Sequence, residues 1–146
     1  MTRVIFKSDS IFWNTPRALY KKLNNKFNFN FDPCPSVPSF DGLNVAWGSR
    51  NFVNPPYGKE ISKWIEKGYE EYLKNKLVVF LIPVRGDTKY WHDFILRANE
   101  IWFIRGRLKF NDDKGSAPFA SAIIIFDPEN TNQQKIYSKL SSGDDI

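Results

Sequence analysis

Six consecutive apolar residues, Leu77-Val78-Val79-Phe80-Leu81-Ile82, constrain this chain most. A strand with no polar side must be covered on both faces, which suits a central parallel strand layered between helices. The flanking pattern agrees. Ile61, Trp64, Ile65, Tyr69, Tyr72 and Leu73 recur at helical spacing before the run. Trp91, Phe94, Ile95 and Ala98 do the same after it, behind an Asp87-Thr88 helix start. Asn51-Phe52-Val53 and the stretches 101–104 and 122–126 read as further strands.

Upstream, Thr15-Pro16 reads as a helix start, with Thr15 as cap, Pro16 in the first turn, and Leu19, Leu23 and Phe27 on one side. Phe27-Asn28-Phe29-Asn30-Phe31 alternates with period two and predicts a strand, which prolines stop at Asp32-Pro33-Cys34-Pro35. The polar, helix-free connection 111–118 predicts that its flanking strands are antiparallel. A last short helix is expected around 133–140 and a frayed tail over 141–146. The expected class is α/β: one domain over residues 1–146, with a mostly parallel sheet and a C-terminal antiparallel hairpin.

At 146 residues and 42% apolar content the chain can bury one core. Cys34 and His92 are single residues of their types, which excludes an intrachain disulfide and a Cys/His zinc cluster, so no metal is expected. No apolar run spans a bilayer and residues 1–10 lack a signal-type core, so the chain reads as cytoplasmic. The net charge of +5 is compatible with a phosphate-backbone partner without requiring one.

Ligands of open α/β sheets sit at the carboxyl ends of strands. Three such ends carry unusual residues: Asp32-Pro33-Cys34, Asn54-Pro55-Pro56-Tyr57 and Pro83-Val84-Arg85. They are expected to meet in one cleft. In the second, two prolines fix φ and remove two N–H donors, leaving a stiff turn of acceptors. Asn54 Oδ1 and the Pro55 carbonyl could each take one N–H of a conjugated amino group, pyramidalising a nitrogen whose lone pair is otherwise delocalised. That is catalysis by positioning and electrostatics. Tyr57 offers a face for stacking on a base. A plain turn, with Asn54 capping the next helix, would also account for these residues. Asp32 could hold the amino group or ribose of a nucleoside cofactor, or simply end a strand. Asp41 is a weaker ribose candidate. Arg85, Arg105, Arg107 and Lys109, near the ends of later strands, could reach phosphates or be solvated charge.

Taken in order, Trp13-Asn14-Thr15-Pro16, Asp32-Pro33-Cys34, Asp41-Gly42-Leu43 with Trp47, Asn54-Pro55-Pro56-Tyr57, Gly106-Arg107-Leu108-Lys109-Phe110 and Ala117-Pro118-Phe119 form a set. This set resembles the phage-type DNA N-6-adenine-methyltransferase (Dam) family. The resemblance implies a compact Rossmann-like class I methyltransferase fold and S-adenosyl-L-methionine as methyl donor. It implies double-stranded DNA as substrate, with the target adenine flipped out and held by Asn54, Pro55, Pro56 and Tyr57. It also implies that Trp13 to Pro16 and Asp32, Pro33 and Cys34 line the cofactor pocket. One departure from the broader methyltransferase pattern stands out: no glycine follows Asp32 before Gly42. Sequence choice on DNA is expected to be loose or to come from another protein or a homodimer. The residues alone leave open an amino group on RNA or on a protein glutamine, and a DNA-binding module without catalysis.

Overall fold

The computed structural model describes residues 13–111 and 115–146. Five strands form one sheet: β1 (Arg50–Val53), β2 (Leu77–Pro83), β3 (Glu100–Arg105), β4 (Ser121–Phe126) and β5 (Lys135–Leu140), in the order β1-β2-β4-β3-β5. Among the described residues three α-helices accompany them: α1 (Arg17–Phe27), α2 (Ile61–Leu73) and α3 (Lys89–Asp93). No helix among the described residues is long and apolar enough to cross a membrane.

β2 is buried along its whole length, as its sequence requires. Helices cover it on both sides. On one face Gly68 of α2 lies so close to Phe80 that a Cβ there would sit 2.2 Å from the ring, and Tyr69 and Tyr72 pack against Phe126 of β4. On the other, Tyr20 and Phe27 of α1 meet Phe52 of β1 and Trp102 of β3. Tyr69 and Tyr72 thus pack against the core, in line with the helical stripe.

The sheet is mixed, which corrects the mostly parallel expectation: β1–β2 and β3–β5 are parallel, β2–β4 and β3–β4 antiparallel. β3 and β4 are antiparallel neighbours, as their helix-free connection demands, but β4 inserts between β2 and β3. What does change is the piece after this antiparallel pair: residues expected to form a helix over 133–140 are the edge strand β5 instead. The open edge of β3 offers unpaired backbone groups, and satisfying them outweighs local propensity.

Three other local expectations also give way. The strand expected over 27–31 is a single bridge, Phe31 to Asn51, because α1 runs on to Phe27 and Asn28 ends it in the left-handed region (φ 52°). The alternating phenylalanines serve packing, with Phe27 stacked on Phe29 and Phe31 on Phe40. The helix after Thr88 breaks after Asp93 into a 3-10 turn, Ile95–Arg97. Residues 141–146 are tied down: Lys22 pairs with Asp144, the Leu140 N–H donates to Asp145 Oδ1 (3.0 Å), Gly143 is buried at φ 76° and Ile146 packs on the core.

A buried carboxylate joins α2 to the chain entering β1. Glu71 Oε1 accepts from the Trp47 N–H (2.7 Å) and Lys76 Nζ (2.6 Å), and Oε2 accepts from Lys74 Nζ (3.2 Å). Burial by itself pushes this carboxyl up. The hydrogen bonds from Lys76, Trp47 and Lys74, with the charge of Lys67, outweigh burial and hold it at about 2 against the usual 4.5. A depressed folded value stabilises the fold above the unfolded value, and that stability is lost as pH falls through the folded one. Unfolding free energy by urea titration should therefore drop by roughly 3 kcal/mol from this group between about pH 5 and pH 2. Glu71→Gln should flatten that slope.

Candidate active site

The carboxyl ends of β1, β2 and β3 and the start of β4 share one edge of the sheet, since Pro83 pairs with Ser121 and Phe103 with Ala122. Phe31 runs parallel to β1, so Asp32 emerges at the same edge. Sequence alone places each strand end; the register brings them together.

Asn54, Pro55, Pro56 and Tyr57 follow β1 directly and are all buried. Asn54 is 3% exposed, and its Nδ2 donates to the Trp13 carbonyl and to Thr15 Oγ1 (3.0 Å). A carbonyl can only accept, so these contacts fix which end of the amide is nitrogen. Asn54 does not cap α2, whose cap position is Glu60. Between them Gly58 turns the chain at φ 122°, a conformation that side chains disfavour.

Tyr57 is a wall rather than an open stacking platform. It is 7% exposed, and its hydroxyl donates to the Leu81 carbonyl (3.1 Å) in the middle of β2. Burial first, then the neighbouring Tyr90 and Cys34, raise its pKa well above 10. Its ring meets Phe110 and Phe119 edge-on (6.3 and 5.5 Å), and Trp13 meets the same two (5.7 and 5.5 Å). A cavity of about 670 Å³ opens beside this cluster, walled by Trp13, Tyr57, Ile61, Pro83, Tyr90, Pro118 and Phe119, with Lys59, Arg85 and Thr88 as its polar members.

Two of the three strand ends thus line one cleft. The third adjoins it. Cys34 is buried near the Tyr57 hydroxyl, and Pro33 is buried with its carbonyl where a Cβ on Gly42 would collide (2.0 Å). Asp32 is exposed, its Oδ1 accepting from the Cys34 N–H (2.9 Å). Asn14 bridges to this segment: its Oδ1 accepts from Ser36 Oγ (3.1 Å). Asn14 also exchanges hydrogen bonds with Asn111, through its N–H to Asn111 Oδ1 (3.0 Å) and its carbonyl from the Asn111 N–H (2.9 Å). Pro16, not Thr15, occupies the cap position of α1, and Thr15 spends its hydroxyl on Asn54. Asp41 caps the 3-10 turn Gly42–Asn44 through Leu43 N–H (3.0 Å).

Of the four basic residues, Arg85 lines the cavity; Arg105, the last residue of β3, and Arg107 and Lys109 beyond it are exposed. Arg107 Nη1 donates to the Ala117 carbonyl (3.4 Å), tying the two arms of that segment. Lys59 and Tyr90 escaped the sequence reading, and Thr88 entered it only as a helix start. The only signal for Lys59 was its place two residues past Tyr57.

The molecule is an α/β protein whose cleft, at the carboxyl edge of a mixed sheet, is walled by aromatic rings, among them Tyr57 at the end of the buried Asn-Pro-Pro-Tyr turn. The chain matches the family model described as DNA N-6-adenine-methyltransferase (Dam) over residues 4–145, and it belongs to that family. It is 28% identical over 142 residues to a protein named DNA N-6-adenine-methyltransferase from Haemophilus phage HP1 (strain HP1c1). The aligned stretch covers 84% of this chain and 82% of that relative.

The Tyr57 contacts make a stability forecast. Tyr57→Phe should cost about 1 kcal/mol, the net worth of one hydrogen bond, and Tyr57→Ala about 3–5 kcal/mol from the lost ring, both read from urea midpoints.

Proposed function

We propose that this chain transfers a methyl group to N6 of adenine in DNA, with S-adenosyl-L-methionine as donor, and that Asn54 to Tyr57 hold the target base. The observation that carries this reading is the orientation of Asn54. Its nitrogen is committed to Trp13 and Thr15, so the carboxamide is fixed on a stiff turn and tied to Trp13, which walls an aromatic cleft of about 670 Å³. Family membership supplies the reaction class.

The residues also suit the donor. S-adenosyl-L-methionine presents an ammonium, a ribose diol and a flat purine. Asp32 is an exposed carboxylate just past the Phe31 bridge, beside the buried Pro33-Cys34 turn and near the Ser36 contact with Asn14. Asp32, Pro33 and Cys34, with Trp13, Asn14 and Pro16, would hold it, while the Thr15 hydroxyl is turned to Asn54. When bound, it supplies an activated methyl on a sulfonium centre.

The chain's own task is positioning. Adenine N6 is a weak nucleophile because its lone pair is shared with the ring. Asn54 Oδ1 and the Pro55 carbonyl accept its two N–H groups and favour a tetrahedral nitrogen. Tyr57, Trp13 and Phe119 wall the base. A base in duplex DNA leaves the stack to reach a site this deep. Lys59 and Arg85 at the cleft, with Arg105, Arg107 and Lys109 beyond it, offer charge to phosphates.

Incubation with tritiated S-adenosyl-L-methionine should label DNA, and digestion should recover the label as N6-methyladenine. Label in RNA or in protein glutamine instead would move the substrate and keep the chemistry. No label in any of them, with no cofactor binding by calorimetry, sinks the reading. Asn54→Ala should lower kcat by roughly 10²-fold or more, about 3 kcal/mol of barrier, with the cofactor Kd within twofold of the parent.

A further inference from the structure

We infer that Thr15 is a positioning residue for Asn54, acting through the side-chain hydrogen bond between them; this rests on the function proposed for the Asn54 loop. The primary amide of Asn54 carries two N–H donors, and both have acceptors. One is the Trp13 carbonyl and the other Thr15 Oγ1 at 3.0 Å. The acceptors lie 41 and 39 residues upstream, so this is a tertiary tie and not a local turn. Thr15 is not occupied by helix capping, since α1 has no side-chain cap bond.

The geometry has a chemical consequence. The Trp13 carbonyl sets which end of the amide is nitrogen, but a single contact leaves the carboxamide plane free to rock about that bond. A second acceptor at Thr15 fixes the plane and with it the direction of Oδ1. An acceptor that must meet a pyramidalising nitrogen depends on direction as well as distance. The segment carrying Thr15 is itself anchored, through the paired hydrogen bonds of Asn14 with Asn111 and the packing of Trp13 against Phe110 and Phe119. The hydroxyl is therefore a fixed reference and not a floating partner.

Thr15→Val keeps the shape and removes the acceptor, and Thr15→Ser keeps the acceptor and removes the methyl. In the transfer assay Thr15→Val should lower kcat by about tenfold, the scale of one lost hydrogen bond. The Kd for S-adenosyl-L-methionine should stay within twofold, and Thr15→Ser should restore most of kcat. On an Asn54→Ala background Thr15→Val should have no further effect. A second readout needs neither activity nor donor: exchange of the Asn54 side-chain N–H protons, followed by NMR in the unliganded chain, should quicken in Thr15→Val and not in Thr15→Ser.

An unchanged kcat in Thr15→Val, or unchanged Asn54 exchange, overturns the inference. So does a loss of cofactor affinity that matches the loss of rate, which would make Thr15 a cofactor ligand. Because the parent is assayed alongside, an active parent with an indifferent Thr15 sinks this inference alone. A parent that labels no adenine sinks the proposed function and the positioning role together, even where the exchange result shows the tie itself.

Discussion

β2 has no face turned to water. Seven residues, Leu77 to Pro83, are buried between β1 and β4, and both faces need a cover. Each fully buried aliphatic or aromatic side chain contributes about 1.5–3 kcal/mol, so the strand is a large part of what folding gains. The cover on one side is α2, which comes close only because residue 68 is glycine against the Phe80 ring. On the other side α1 spans from Phe52 to Trp102. Once these layers close, the strand ends share one edge, and the cleft is a by-product of packing β2.

The cleft itself depends on a short segment outside the sheet. Trp13 to Pro16 touches the Asn54 loop, the segment after β3 and the turn after Asp32 within four residues. It brings polar acceptors to the buried Asn54, where an amide left unsatisfied would be costly. The same few contacts hold the carboxamide, shape the aromatic wall and start α1. The hydrogen bonds of Trp13 and Thr15 make a contact with Asn54 that no local pattern announces.

The legible parts were those where one residue type has one physical use. The run 77–82 could only be an inner strand, the stripe Ile61-Trp64-Ile65 could only be a helix facing it, and two successive prolines could only make a stiff turn. The misread parts were those in which two outcomes had similar local energy. Thr15 could cap a helix or reach a distant amide, and the amide won. Phe27 to Phe31 could alternate as a strand or pack as a ragged loop, and the left-handed Asn28 ended the choice. Residues 135–140 could be helix or strand, and the open edge of β3 settled it. In the tail, Asp144 and Asp145 look like solvated charge until α1 and β5 place Lys22 and Leu140 beside them.

The sequence by itself determined an α/β architecture, an inner strand over 77–82 and a rigid Asn54-Pro55-Pro56-Tyr57 turn following a short strand, because hydrophobic period and proline geometry act within a few residues. Tertiary structure alone decided that the sheet is mixed, that β4 inserts between β2 and β3, that Tyr57 is a wall and not a platform, and that Thr15 and Trp13 hold Asn54. Those outcomes turn on which backbone edge and which buried donor find partners, and the partners lie tens of residues away along the chain.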